Sequence, residues 1–197
     1  YLVHDDHAPR KLSRTGHTSW TISDVDFFDG PYEPANTSST TLQPSGTSGN
    51  ITITASSNVF VANDVGRSVR IKNGSDWGFA KITGYNSATN VNATVNADMP
   101  FSATSANADW RLGSFYTGNY PTKITFFEER LFYAGTTQQP STVFSSMSAD
   151  FDKFSPTSKD GSVNDDNGLQ FTLVSEQVNQ ITGMYGGKFL AIFTKNG

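Results

Sequence analysis

Residues 4 to 7 read His-Asp-Asp-His, setting two imidazoles around two carboxylates. Imidazole nitrogen and carboxylate oxygen are ligands for metals, and either group serves as a general base. Successive residues of an extended strand point to opposite faces, so only a tight loop would gather His4, Asp5, Asp6 and His7 on one side. Further ligands would have to come from His17 or from the acidic pair Asp165 and Asp166, and the helical HExxH spacing that marks a zinc site is absent. The sequence therefore predicts a polar strand end leading into a turn at Pro9 and assigns no metal. His4, Asp6, His7, Asp165 and Asp166 are the residues that would supply one.

Other stretches carry reactive or binding groups without a recognisable arrangement. "NDDNG", residues 164 to 168, has the composition of a calcium loop but lacks the 12-residue spacing and closing Glu of an EF-hand. Glu128 and Glu129 beside Arg130 are read as an ion pair or an interface contact, since no second carboxylate is placed opposite them. Arg10, Lys11 and Arg14 put three positive charges within five positions and form a candidate anion or subunit contact, on a segment (7 to 17) read as a loop. Trp77, Tyr85 and Trp110 are candidate stacking aromatics for a carbohydrate, or core residues. No phosphate loop, nucleophile elbow or dinucleotide fingerprint appears, so the residues predict no enzyme and no cofactor.

The elements that would hold these residues are strands. Of 197 residues 36% are hydrophobic, 13% aromatic and only 16% charged, and Ser, Thr, Asn and Gly fill the difference. Those residues favour turns and, for Thr, strands, which predicts an all-β protein. A net charge of −4 argues against a surface that grips nucleic-acid phosphates, although DNA can slide past such a surface. Without cysteine there is no disulfide, thiol nucleophile or thiolate metal site. No run approaches the ~20 apolar residues of a membrane span.

Composition also divides the chain. Residues 36 to 109 are rich in Ser, Thr, Asn and Ala, and their charges cancel. Within them "ITIT" at 51 to 54, "RSVRIK" at 67 to 72, "WGFAKITG" at 77 to 84 and "TNVNATVN" at 89 to 96 read as a β-meander, with Asn73-Gly74 as a hairpin turn and one helical turn ending at Gly66. The flanks, 1 to 35 and 110 to 197, are dense in aromatics and predict strands at 123 to 134, 141 to 147, 169 to 174 and 188 to 194. The double Phe and double Glu inside the first of these suggest a bulge or a tight bend. This spacing predicts a propeller-like or sandwich-like β domain interrupted by a small, barrel-like inserted meander. A first residue that is Tyr and a last pair, Asn196-Gly197, that opens a hairpin predict a fragment of a longer protein.

Taken in order, "HDDHAPRKLSRTGHTSWTISDVDFFDGPY", "DVGRSVRI", "WGFAKITGY", "DWRLGSF", "YPTKITFFEERLFYAGTTQQPSTVFSSMSADFDKFSP" and "DDNGLQFTLVSEQVNQITGM" resemble the nozzle, or tail tubular protein B type, of short-tailed bacteriophages and prophages. The resemblance covers almost the whole chain and is thinnest before Ala62 and between Asn90 and Ala108. It implies a virion tail subunit, made in the host cytoplasm, that joins a ring, usually hexameric, below the tail adaptor protein. Double-stranded DNA would pass through that ring on ejection without specific binding. It also implies that the His-Asp-Asp-His segment is structural, and it carries over no catalytic residue.

Overall fold

The computed structural model describes residues 1 to 174 and 179 to 195. The Asn-Gly turn expected at 196 and 197 lies outside them. The described residues form an all-β protein with fifteen strands and one short 3-10 turn, Ala62–Asp64. The chain divides into two compact units: Tyr1–Phe28, Thr117–Pro156 and Asp165–Gly197 make one, and Asp29–Tyr116 with Thr157–Asn164 make the other. The second unit is wider than the span 36 to 109 and takes in a later segment of chain.

In the first unit, β1 (Leu2–His4), β2 (His7–Arg14) and β3 (Trp20–Asp24) form an antiparallel sheet in chain order. The segment expected to be a loop is thus mostly strand, and Pro9, far from making a turn, is a buried residue of β2. Next come β10 (Lys123–Phe127), β11 (Arg130–Ala134), β12 (Thr142–Ser145) and β13 (Gln170–Thr172), a four-stranded meander, then the hairpin of β14 (Ile181–Gly186) and β15 (Leu190–Thr194). The single strand expected at 123 to 134 is a hairpin, because Glu128 and Glu129 adopt φ of 45° and 58° and pair Phe127 with Arg130.

The four-stranded meander is covered on both faces. Phe132, Ala134 and Val143 pack with Ile181, Met184, Leu190 and Ile192 of the next hairpin. Tyr133, from the opposite face, meets Phe27 and Phe154 with ring centroids 6.1 and 5.5 Å away. Gly186 is required where β14 crosses β10: a Cβ there would lie 1.9 Å from the Phe126 carbonyl oxygen.

The second unit is one six-stranded sheet, β4 (Leu42–Pro44), β5 (Asn50–Ala55), β8 (Asn90–Val95), β7 (Asp76–Ser87), β6 (Ser68–Asn73) and β9 (Trp110–Leu112) in that spatial order. It curls into a half-barrel whose edges approach through a bridge between Leu42 and Asn107. Ile53, Val69, Ile71, Ile82 and Val91 fill its interior, supplied by four neighbouring strands, with Leu42 and Leu112 from the two edge strands. The 3-10 turn ends where Gly66 takes φ of 91°, as the Asp-Val-Gly sequence suggests.

Candidate functional site

The β1–β2 hairpin supplies the tight loop that His4, Asp5, Asp6 and His7 need. His4 pairs with His7 across the strands, so both imidazoles leave one face, with ring centroids 5.3 Å apart. Asp5 and Asp6 make the turn between them. His4 Nδ1 lies 2.9 Å from Asp5 Oδ1 and 4.0 Å from Asp6 Oδ2. The Asp6 backbone N–H donates to both His4 Nδ1 and Asp5 Oδ1, each at 3.1 Å. Donor atoms of His4, Asp5 and Asp6 all fall within 4.8 Å of one another, the only such three-residue group among the described residues, and all three side chains are exposed.

Asp165 and Asp166 do not join this group. Their loop is organised by Arg130, whose guanidinium donates to the carbonyls of Ser146 at 2.8 Å, Asp165 at 2.6 Å and Asn167 at 2.6 Å. Carbonyl oxygens that a calcium loop would turn on an ion are thus directed at an arginine. This also places Arg130 with the loop after β12, not with Glu128 or Glu129.

The basic stretch is split by strand alternation. Arg10 and Arg14 lie on one face of β2 and Lys11 on the other. Arg10 meets Asp24 at 3.1 Å, Lys11 meets Asp152 at 3.3 Å, and Arg14 donates to the Gly16 carbonyl and contacts His17 Nδ1 at 2.8 Å while lying over Trp20. Three positive charges close in sequence therefore form three separate contacts.

The aromatic candidates do not share a groove. Trp110 packs against the half-barrel core and donates Nε1–H to the Thr40 carbonyl at 2.8 Å. Trp77 is half-buried under the Arg70 guanidinium, 4.9 Å from its ring centre. Tyr85 is the exposed one. An open groove of this unit, ≈ 460 Å³, is lined instead by Ser45, Asn50, Thr52, Thr83 and Asn92 with Ile51 and Ala93.

Sequence reasoning missed two buried polar centres in the second unit. Arg67 donates to Asp64 at 2.8 Å and to the Gly113 carbonyl at 2.5 Å, meets Glu33 at 2.5 Å and stacks on Tyr116. Arg70 is 1% exposed, although alternation along "RSVRIK" points it outward. Its Nη2 donates to Thr157 O, Thr157 Oγ1 and Ser158 O, so the segment 157 to 164 covers that face of β6. Arg70 pairs in register with Arg111, and burial together with the Arg70 charge lowers the Arg111 pKa. Beside them, buried Tyr32 donates to Asp29, and burial followed by the Asp29 charge holds its phenol far above the usual range. The 64-to-67 spacing of Asp and Arg was the one visible signal; nothing in the sequence marks residues 157 to 164 as a cover.

Two apolar surfaces stay exposed in the first unit. The face of β1–β3 that carries Arg10 and Arg14 also carries Leu2, Leu12, Trp20 and Ile22, with Leu12 directly opposite Ile22 and Trp20 57% exposed. The outer face of β14–β15 carries Tyr185 and Phe193, with Phe189, 73% exposed, at the turn. No protein-family model matches the chain, and no curated protein matches it.

Proposed function

We propose that the chain is a structural subunit of the tail nozzle of a short-tailed bacteriophage or prophage, contributing to a ring around the DNA exit channel and acting in tail assembly and genome ejection. The observation that carries this reading is the pair of exposed apolar surfaces on different sheets of the first unit. A closed ring is built from head-to-tail contacts, which need two unlike surfaces on each subunit. Aromatic and aliphatic side chains of this kind supply interface energy, and isolated domains seldom leave them open without a partner. A net charge of −4 also suits a conduit that must release DNA. The ordered motifs that resemble the nozzle type run through both units.

Native mass spectrometry of the protein, alone and with a tail adaptor, tests the proposal. A closed ring is expected in at least one condition. The double variant Leu12→Glu, Ile22→Glu should leave folded monomers, because both side chains are about half exposed, at 49% and 55%. A wild-type monomer in both conditions overturns the reading. The groove lined by Ser45, Asn50, Thr52, Thr83 and Asn92 favours a second reading, recognition of a glycan through amides and hydroxyls. Selective binding on a glycan array, abolished by Asn92→Ala, is the result it requires.

A further inference from the structure

We propose that the tip of the β1–β2 hairpin is a binding site for a divalent transition-metal ion of the zinc type, formed by His4, Asp5 and Asp6 with His7 as the ligand from the second strand. The inference is independent of the ring reading and starts from donor chemistry. His4 Nδ1, Asp5 Oδ1 and Asp6 Oδ2 are three lone-pair carriers gathered within 4.8 Å, and the Asp6 backbone N–H is the donor that lies between two of them. Such a group is short of positive charge, and a cation supplies it.

The spacing fits an ion. Two tetrahedral ligand atoms each ~2.1 Å from one zinc ion stand ~3.4 Å apart, between the 2.9 Å from His4 Nδ1 to Asp5 Oδ1 and the 4.0 Å from His4 Nδ1 to Asp6 Oδ2. His7 adds an independent feature: it comes from the other strand, and the register alone sets its ring beside that of His4. Its side chain is exposed, and a change of rotamer is what would bring a ring nitrogen to the same point. A mixed set of imidazole and carboxylate selects zinc, nickel or copper over magnesium and calcium, which prefer oxygen alone. Exposure at the tip leaves open positions on the ion for water. His17 is not a member, since its Nδ1 faces Arg14.

The protein has three histidines, so each is resolvable by NMR. Titration of the whole chain with zinc chloride at neutral pH should move the imidazole resonances of His4 and His7 and leave those of His17 in place. Magnesium chloride should move none. Calorimetry should give one zinc ion per chain, with affinity reduced at least about tenfold in His4→Ala, His7→Ala. Both side chains are exposed, so the variant keeps its fold, which circular dichroism checks. Unmoved His4 and His7 resonances in excess zinc, or an affinity unchanged in the double variant, overturn the proposal.

Discussion

Arg70 shows how far one side chain can depart from its sequence pattern. In an alternating strand it belongs on the solvent side with Ser68 and Lys72, yet its guanidinium is buried, stacked on Trp77 and bonded to Thr157 and Ser158. Removing it takes the donor from the Thr157 carbonyl, while the Ser158 carbonyl keeps Gly161 N–H, and leaving a part-buried acceptor unpaired is the costly way to break a hydrogen bond. Arg70→Leu should destabilise the protein by about 3 kcal/mol, read as a shift in the urea midpoint. Arg70→Lys should recover only part of this, because an ammonium lacks the planar surface that stacks on indole. Legibility failed here for a simple reason: burial of a strand face depends on what lies over it, and the cover is 87 residues away. His4 and His7 show the opposite case. Their types were plain in the sequence, and only the register, with Asp5 and Asp6 in the turn, decided that both imidazoles share a face.

Among elements, the β10–β11 hairpin is the least comfortable. Two consecutive glutamates, Glu128 and Glu129, occupy left-handed backbone that Asn and Gly adopt with little strain. Glu128→Asn, Glu129→Gly should therefore raise stability by about 1 kcal/mol, measured by urea unfolding, with the Phe127–Arg130 pairing preserved. The tight bend was legible in the doubled residues, but its position was not, since "FFEER" contains none of the usual turn formers. Strands with clean alternation were easier. "ITIT" became part of β5 and "NVNATV" became β8, because one face of each fills the half-barrel. The sequence of β2 reads as a loop because Pro9 and a run of charges mask its apolar positions.

Across the whole molecule, burial bears most visibly on tyrosine. Burial is the leading cause of the raised phenol pKa of Tyr1, Tyr32, Tyr116 and Tyr133, with Asp29 adding to it at Tyr32. A group whose pKa is raised by folding contributes stability that is intact below its unfolded value of 10.0 and is lost as pH rises through the folded value. The protein should resist mild alkali and then unfold cooperatively above pH ~10. Tyrosinate absorbance from Tyr32 and Tyr133 should appear only together with loss of the β signal in circular dichroism. Full ionisation with the β signal intact contradicts this assignment of burial.

The return of residues 157 to 164 to the second unit also has a consequence in time. Arg70 leaves the ribosome long before Thr157, and β10, β11 and β12 must be synthesised in between. The half-barrel therefore cannot complete its burial while it is the newest part of the nascent chain. Contacts of such sequence separation slow folding. Maturation of the inserted unit is tied to synthesis of the sheet that follows it, so a graft of residues 29 to 116 alone would carry an arginine still waiting for its acceptors.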